Sequence, residues 1–523
     1  MKKIFFFAAL VFSASMMAQE SINWFSAIES NATKDGTAAV GNNSLSSISA
    51  YENGSVVVAG TFASCQETPA TATFMGEEFV GAPFTVDQNN SNKNVLVSKI
   101  NKDGEVQWLL HSNRGNGDAV AIATADGGAL VFATVGHTDS DVQGDHKNLQ
   151  LLNGEKELVA ATHDFVNKNF QFGELIKVAT DGESASIVGE LLNQGTSNDF
   201  TALNWATDGT NYYLLVIVKK EVKFDETTLT PFDGGSLAVL KFDQDGKLLG
   251  NVLTDEMALT STTSAIDCSA DKVCVGTIAT IDGLQSILLK TYNAADLTLA
   301  REDTIEGAVV NTKNLVQLKS LLVTEDAIFA AGAVNGGIKI GEDTLKNANN
   351  KLHGFVAKLD LASGETVKAY EHSTVAANIG AITDLFEQNG ALYAFGYEMQ
   401  VKDGNGIYLV ELDKNLAAQD TIGLFKTSGT ETTWDAVNAD GNVVLAANTA
   451  KNLDLKFAAD ESKSVKTSTM SRILASVTLK APKPTAVDSI QNSDVRSQKV
   501  VRNGQLLIIR DGKTFNALGA QVQ

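Results

Sequence analysis

Residues 94–108 read NVLVSKINKDGEVQW, and residues 54–61 before them read GSVVVAGT. Both runs are β-branched and apolar on both faces, which marks strands buried on both sides. Lys102-Asp103-Gly104 breaks the first quotation in two. Asp-Gly supplies the positive backbone φ of a tight hairpin turn, so a further strand, EVQWLLHS, follows at once. The same grammar then recurs along the chain. GSVVVAGT is answered by GGALVFATV from Gly127, GTNYYLLVIV from Gly209, DKVCVGTI from Asp271, DAIFAAGAV from Asp326, GALYAFGY from Gly390 and GNVVLAAN from Gly441. NVLVSKI is answered by GELIKVA from Gly173, SLAVLKF from Ser236, SILLKTY from Ser286, GFVAKLD from Gly354, GIYLVEL from Gly406 and SRILASVTL from Ser471. The two series alternate without exception.

Seven units, each reading as four strands, predict an all-β, seven-bladed β-propeller over residues 20–480. Few segments show helical spacing, and none of the 5 prolines falls inside these strands, as ladder hydrogen bonding requires. The last unit lacks a closing strand of its own. The N-terminal run Ile22-Asn-Trp24-Phe-Ser-Ala-Ile28 resembles one, with Trp24 matching Trp108, and is expected to complete the seventh blade and tie the ring shut. An open solenoid or a pair of β-sandwiches is the structural alternative. A lysine recurs in the second series at Lys99, Lys177, Lys241, Lys290 and Lys358, and is read as an outward, solvated side chain. The last two units carry Glu411 and Ser476 near that place.

The pattern resembles the β-propeller repeats of secreted bacterial proteins, most closely in the first unit and in the fifth, AIFAAGAV…GFVAKLD. That resemblance is specific for fold only, because propellers host binding proteins and enzymes alike. The C-terminus reads differently. Ala481-Pro-Lys-Pro484 is a stiff linker, and a polar stretch runs on to residue 497. Residues 498–523 then read as short strands joined at Asn503-Gly504 and Asp511-Gly512, a small β-hairpin tail. From Arg496 on, five basic residues face one acidic one, Asp511. This tail resembles a shortened form of the C-terminal sorting segments of the type IX secretion route, with Phe515-Asn516 and Gly519 matching the aromatic-Asn…Gly near their end. The resemblance implies contact with secretion or surface-attachment machinery. The alternative is a hairpin that docks on the propeller or on a partner.

Lys2 and Lys3 precede nine apolar residues, Ile4 to Phe12, and a run of mostly small residues to Ala18. That is the pattern of a signal peptide over residues 1–18, too short to span a bilayer. Export to the periplasm, cell surface or medium is expected, and no later segment is apolar enough for a transmembrane helix. The formal net charge of −21 makes nucleic acid a poor partner, because phosphate backbones repel so acidic a body. With 3 cysteines the chain is no disulfide scaffold. Cys268 and Cys274 flank the turn Ser269-Ala270-Asp271-Lys272. They read either as a disulfide across two strands or as two buried small apolar side chains. Cys65 has no obvious partner.

Motifs of catalysis are missing from the sequence. The 6 histidines include no His-Glu-x-x-His, and neither a Gly-x-Ser-x-Gly elbow nor a phosphate-binding loop is present. The best local cluster is His137-Thr-Asp139-Ser-Asp141-Val-Gln143-Gly144-Asp145-His146. Alternating oxygens at Asp139, Asp141 and Gln143, then Gly144 and Asp145, resemble the first half of a calcium loop. Gln150 stands where the closing Glu belongs, and a solvated acidic loop is the plainer reading. Long connections between the first and second strand series, at 62–93, 136–171, 219–235, 335–353 and 449–469, would all open on one face. Binding groups concentrate on such loops, so the sequence points to an exported binding protein that recognises protein or glycan there. The alternatives are a propeller enzyme acting on glycans or peptides, and a structural component of an envelope assembly. Converging buried carboxylates or a metal in the central channel would favour the enzyme.

Overall fold

The computed structural model of the 523-residue chain describes residues 21–30, 33–34, 37–38, 43–64, 71–80, 92–114, 117–137, 148–163, 170–193, 199–255, 264–346, 351–372, 379–399, 405–426, 432–449, 453–458, 462–467, 471–479, 498–502, 505–510, 513–516 and 521–522. Two compact units emerge, Met1–Leu479 and Lys480–Gln523. Among the described residues no helix is long and apolar enough to cross a membrane.

The larger unit is built from antiparallel sheets with one recurring plan. In the first sheet Ser44–Ala50, Val56–Ser64, Asn92–Ile100 and Val106–Arg114 pair in sequence order. The second repeats the plan with Gly117–Ala123, Ala129–His137, Phe170–Val178 and Ala185–Asn193. The third runs from Phe200–Thr207 to Leu248–Leu253, the fourth from Ala265–Cys268 to Leu299–Ile305, and the fifth from Leu315–Val323 to Thr366–His372. The sixth runs from Ile379–Gln388 to Ala418–Lys426. In the seventh, Thr432–Ala439, Asn442–Thr449 and Ser471–Thr478 are joined by the N-terminal strand Ser21–Ala27, which pairs antiparallel with Ser471–Thr478. Second and third strands are buried on both faces, as in Tyr212–Val218 and Ser236–Phe242. The apolar clusters between successive sheets draw on both neighbours, so sheets stack face to face. This is the architecture of a β-propeller.

The long connections are not free loops where they are described. Each carries a β-hairpin; three of these extend the sheet before their own, and two form small separate sheets with a short strand. Asn148–Asn153 pairs with the outer strand Val106–Arg114 of the first sheet. Val222–Phe224 pairs with Ala185–Asn193 of the second, and Leu453–Phe457 with Ala418–Lys426 of the sixth. Gly337–Ile340 pairs with Gly307–Ala308, just past the fourth sheet's outer strand. Thr71–Phe74 pairs with Glu29–Ser30, just past the N-terminal strand. The hairpins bury Phe74, Leu151, Phe224, Leu229, Ile338 and Phe457. Pairing also covers an outer strand whose edge would otherwise be open.

The recurring lysines correct the sequence reading. Lys99, Lys241 and Lys290 are buried, not solvated. Their stems cross the inter-sheet gap and their ammonium groups cap turn carbonyls of the next sheet. Lys99 Nζ donates to Gly127 O at 2.7 Å and Lys241 Nζ to Ala294 O at 2.7 Å. Lys177 reaches Gln244 O at 2.7 Å and Lys358 reaches Lys414 O at 3.0 Å. Lys290 instead meets Asp255 and Glu302.

Trp24 and Trp108 make the same joint. Trp108 Nε1 donates to Thr180 O at 3.2 Å and the ring lies on Gly182. Trp24 Nε1 donates to Lys102 O at 3.0 Å and its ring lies on Gly104. Both glycines hold positive φ, 70° and 85°, and neither leaves room for a Cβ beneath the indole.

Cys268 and Cys274 are free and buried. Cys268 lies opposite Val273 and Cys274 opposite Asp267. Opposed residues share a sheet face and successive residues alternate, so the two sulfurs point to opposite sides of the fourth sheet. In the smaller unit Gln498–Arg502, Gln505–Arg510, Lys513–Asn516 and Gln521–Val522 form a four-stranded antiparallel meander.

Candidate functional site

The first strand of each sheet is its innermost, and five of them are broken by a β-bulge. The residue just past the register shift is Ser47, Asn204, Ser320, Asp384 or Asp435. A bulge re-aims a side chain, and here it sets a polar group on the inner side. Several of these groups accept a backbone N–H from a neighbouring inner strand. Ala121 N donates to Ser47 Oγ at 2.8 Å, Ala436 N to Asp384 Oδ2 at 2.9 Å, and Ile48 N to Asp435 Oδ2 at 3.0 Å. Asp267, on the fourth sheet's inner strand, accepts Val323 N at 2.7 Å. These bonds link consecutive inner strands, and the Ile48–Asp435 bond links the first sheet to the seventh.

Six of the seven inner strands enclose a cavity of about 450 Å³. Asp267, Asp384, Asp435, Lys319, Trp205 and Trp434 are among its walls. Its volume lies within the range of small-molecule sites. Thr432 and Asn448, bonded to each other at 2.7 Å, lie at the end from which the long connections leave. Glu387 and Asn438, at the other end of the same strands, also line the cavity, which runs along the inner strands.

Burial governs the charges here. It pushes the Asp267 carboxyl up to about 7. Asp384 and Asp435 are hydrogen-bonded to each other, and burial followed by their mutual repulsion holds Asp435 well above the carboxylate range. Burial likewise raises Asp384, against the bonds from Asp435 and Ser320. Ser320 Oγ donates to Asp384 Oδ1 at 2.7 Å. Burial and mutual repulsion both favour the protonated forms, so the two carboxyls are arranged to share a proton between them. Burial also lowers the Lys319 ammonium. Trp434 forms an aromatic platform. The Arg472 guanidinium lies 3.6 Å from its ring centre, its Nε donates to Asn448 Oδ1 at 2.8 Å, and its Nη1 donates to Leu45 O. Forty per cent of Trp434 stays exposed, enough for a ligand to stack on it.

These residues went unremarked in the sequence. Their signal was an acidic or hydroxyl residue in the weak strand before the turn, as in ITDLFEQNG and TWDAVNADG. The bulge that turns it inward leaves no mark in a period-two pattern. Of the calcium-loop residues, Asp139, Asp141, Gln143 and Asp145 lie outside the described residues, as does Cys65. One group of metal-ligating type is found among the described residues, His163, Glu174 and Glu190, and none of the three lines the cavity.

No family model matches the chain, and no curated protein is similar to it. Among solved structures it is similar to the uncomplexed acylaminoacyl peptidase of Pyrococcus horikoshii, at 10% identity and a TM-score of 0.38, covering 90% of this chain and 57% of that one. It is similar to the β-propeller domain of the Trilobed protease from Pyrococcus furiosus, described as having an open velcro topology, at 9% identity and a TM-score of 0.41 over 82% and 96% of the two chains. It is similar also to Chaetomium thermophilum Sqt1 bound to the N-terminus of ribosomal protein L10, at 9% identity and a TM-score of 0.39 over 78% and 95%. The chain spans little more than half the length of the peptidase. Likenesses this distant carry no argument about activity or partners. That the chain is a β-propeller repeat protein rests on its own sheets.

Proposed function

We propose that this is an exported binding protein that takes a neutral, hydroxyl-rich ligand, a short glycan, into its central channel. The observation that carries the reading is one cavity combining a buried, mutually hydrogen-bonded carboxyl pair, Asp384–Asp435, with the exposed Trp434 platform. Sugars offer an apolar ring face for stacking and hydroxyls that exchange hydrogen bonds with a carboxyl pair. The site is concave, and a few polar groups converge in it, which is the usual form of a small-molecule site.

The reading includes a ring of seven blades, closed by Ser21–Ala27. Its support is the pairing of that strand with Ser471–Thr478, the shared Trp24 and Trp108 joint, and the hairpin Thr71–Val80 docked beyond the N-terminal strand. Export rests on the apolar leader and on the basic C-terminal segment.

Titration of the full mature chain with neutral, acidic and cationic oligosaccharides tests the binding reading, with Trp fluorescence as readout. A neutral oligosaccharide should quench the signal, and Trp434→Ala should weaken binding at least tenfold while leaving the melting transition in place. Equal binding by Trp434→Ala would put the site elsewhere. A second reading has support from the converging carboxyls: a hydrolase in which Asp384 and Asp435 share acid and base roles. Release of shortened products from the same panel, abolished by Asp384→Asn, would replace the binding reading with that one.

A further inference from the structure

The second sheet brings carboxylates together at its outer strands. Glu174 on Phe170–Val178 and Glu190 on Ala185–Asn193 are direct cross-strand partners. Like charges opposed in this way are destabilising. Asp225 adds a third carboxylate, bonded through Oδ1 to Glu190 N at 2.9 Å. Glu174 is fully buried. Its Oε1 lies 2.7 Å from His163 Nε2, but its Oε2 is buried with no hydrogen-bond partner. A buried carboxylate oxygen left unpaired is among the more unfavourable arrangements in a protein. Among the described residues of this group, one imidazole stands beside three carboxylates.

His163 follows directly on Lys156–Thr162, the outermost strand of the hairpin that extends the first sheet. The chain then returns to the second sheet. The three side chains thus come from a strap and from two neighbouring strands, and one donor atom from each lies within 4.8 Å of the others. Bonds of ~2.0–2.2 Å in a tetrahedral site set donors about 3.3 Å apart, so small side-chain rotations close the set. Two carboxylates and an imidazole suit a borderline ion, and three protein donors leave a position for water.

We propose that His163, Glu174 and Glu190 bind a divalent transition-metal ion, zinc by donor chemistry, which fastens the strap of the first sheet to the second. The ion supplies positive charge and a partner for Glu174 Oε2. It is distinct from the loop of Asp139 and Asp141, whose all-oxygen chemistry would take calcium.

The untagged full-length protein, stripped with a chelator and dialysed, is titrated with zinc by calorimetry, and bound metal is counted by atomic emission. One equivalent per chain is expected, with a rise in melting temperature. His163→Ala and Glu190→Gln should each weaken zinc binding at least tenfold and remove that rise, while Asp139→Asn/Asp141→Asn retains both. Glu190 is partly exposed, so its variant decides the matter if His163→Ala fails to fold. No zinc uptake by the wild type, or wild-type affinity in folded Glu190→Gln, overturns the proposal.

Discussion

Asp267 shows how one side chain sets a pH dependence for the whole molecule. Its carboxyl is raised by burial to about 7, against about 3.9 for an unfolded chain. A group raised on folding contributes stability that is complete below the unfolded value and is lost as pH rises through the folded value. Stability should therefore fall between about pH 4 and pH 7, and Asp384 and Asp435 act with the same sign. Asp267→Asn keeps an oxygen for Val323 N but cannot ionise. It should match the wild type at pH 4 and exceed it at pH 8, by about 4 kcal/mol at most at ~1.4 kcal/mol per pH unit. Urea midpoints at the two pH values measure this, and an unchanged gap between pH 4 and pH 8 in the variant would falsify the assignment. The lysines teach a related lesson. Their recurrence was plain in the sequence, but whether Lys99 faced solvent or a neighbour's carbonyl depended on the stacking of sheets, which no single strand encodes.

Among elements, the hairpins change most in meaning between sequence and structure. Length and polarity made residues 219–235 read as a variable loop. Yet Val222 and Phe224 alternate about Lys223, Leu229 lies opposite Val222 on the returning strand, and all three are fully buried. The alternation was there to be read, but in runs of three residues it is too short to separate from chance. Replacing residues 222–229 with a short Gly-Ser link should strip the second sheet's edge and remove three buried side chains. At ~1.5–3 kcal/mol each, a loss of about 5 kcal/mol is expected, visible as a lower urea midpoint. A free binding loop would leave the midpoint where it was. The strand series themselves were legible because burial on both faces gives long apolar runs, and because glycine marks the turns where positive φ is required, as at Gly104 and Gly182. The channel groups were not, since a bulge shifts the face of one residue without altering composition.

At the scale of the molecule, the joint between seventh and first sheets uses the same parts as the joint between first and second. Removing residues 19–30 takes away both the strand beside Ser471–Thr478 and the Trp24 contact with the first sheet. The truncated protein should melt earlier and lose its seventh sheet to protease before the rest. A melting transition equal to that of the intact chain would count against closure. Trp24 was legible as the partner of Trp108 because the two occupy matching places before a hydrophobic run. What the sequence withheld was the acceptor, a carbonyl in the next sheet's turn.

The pairing of Ser21–Ala27 with Ser471–Thr478 also fixes an order of events. Among the described strands, the first of the larger unit is matched to its last. Until residue 478 is present Ser21–Ala27 has no strand to pair with, although Trp24 can already meet the turn at Lys102 and Glu29–Ser30 the hairpin from Thr71. Contacts this distant in sequence form slowly. That joint is therefore the last to set, whatever the order in which the sheets between are formed.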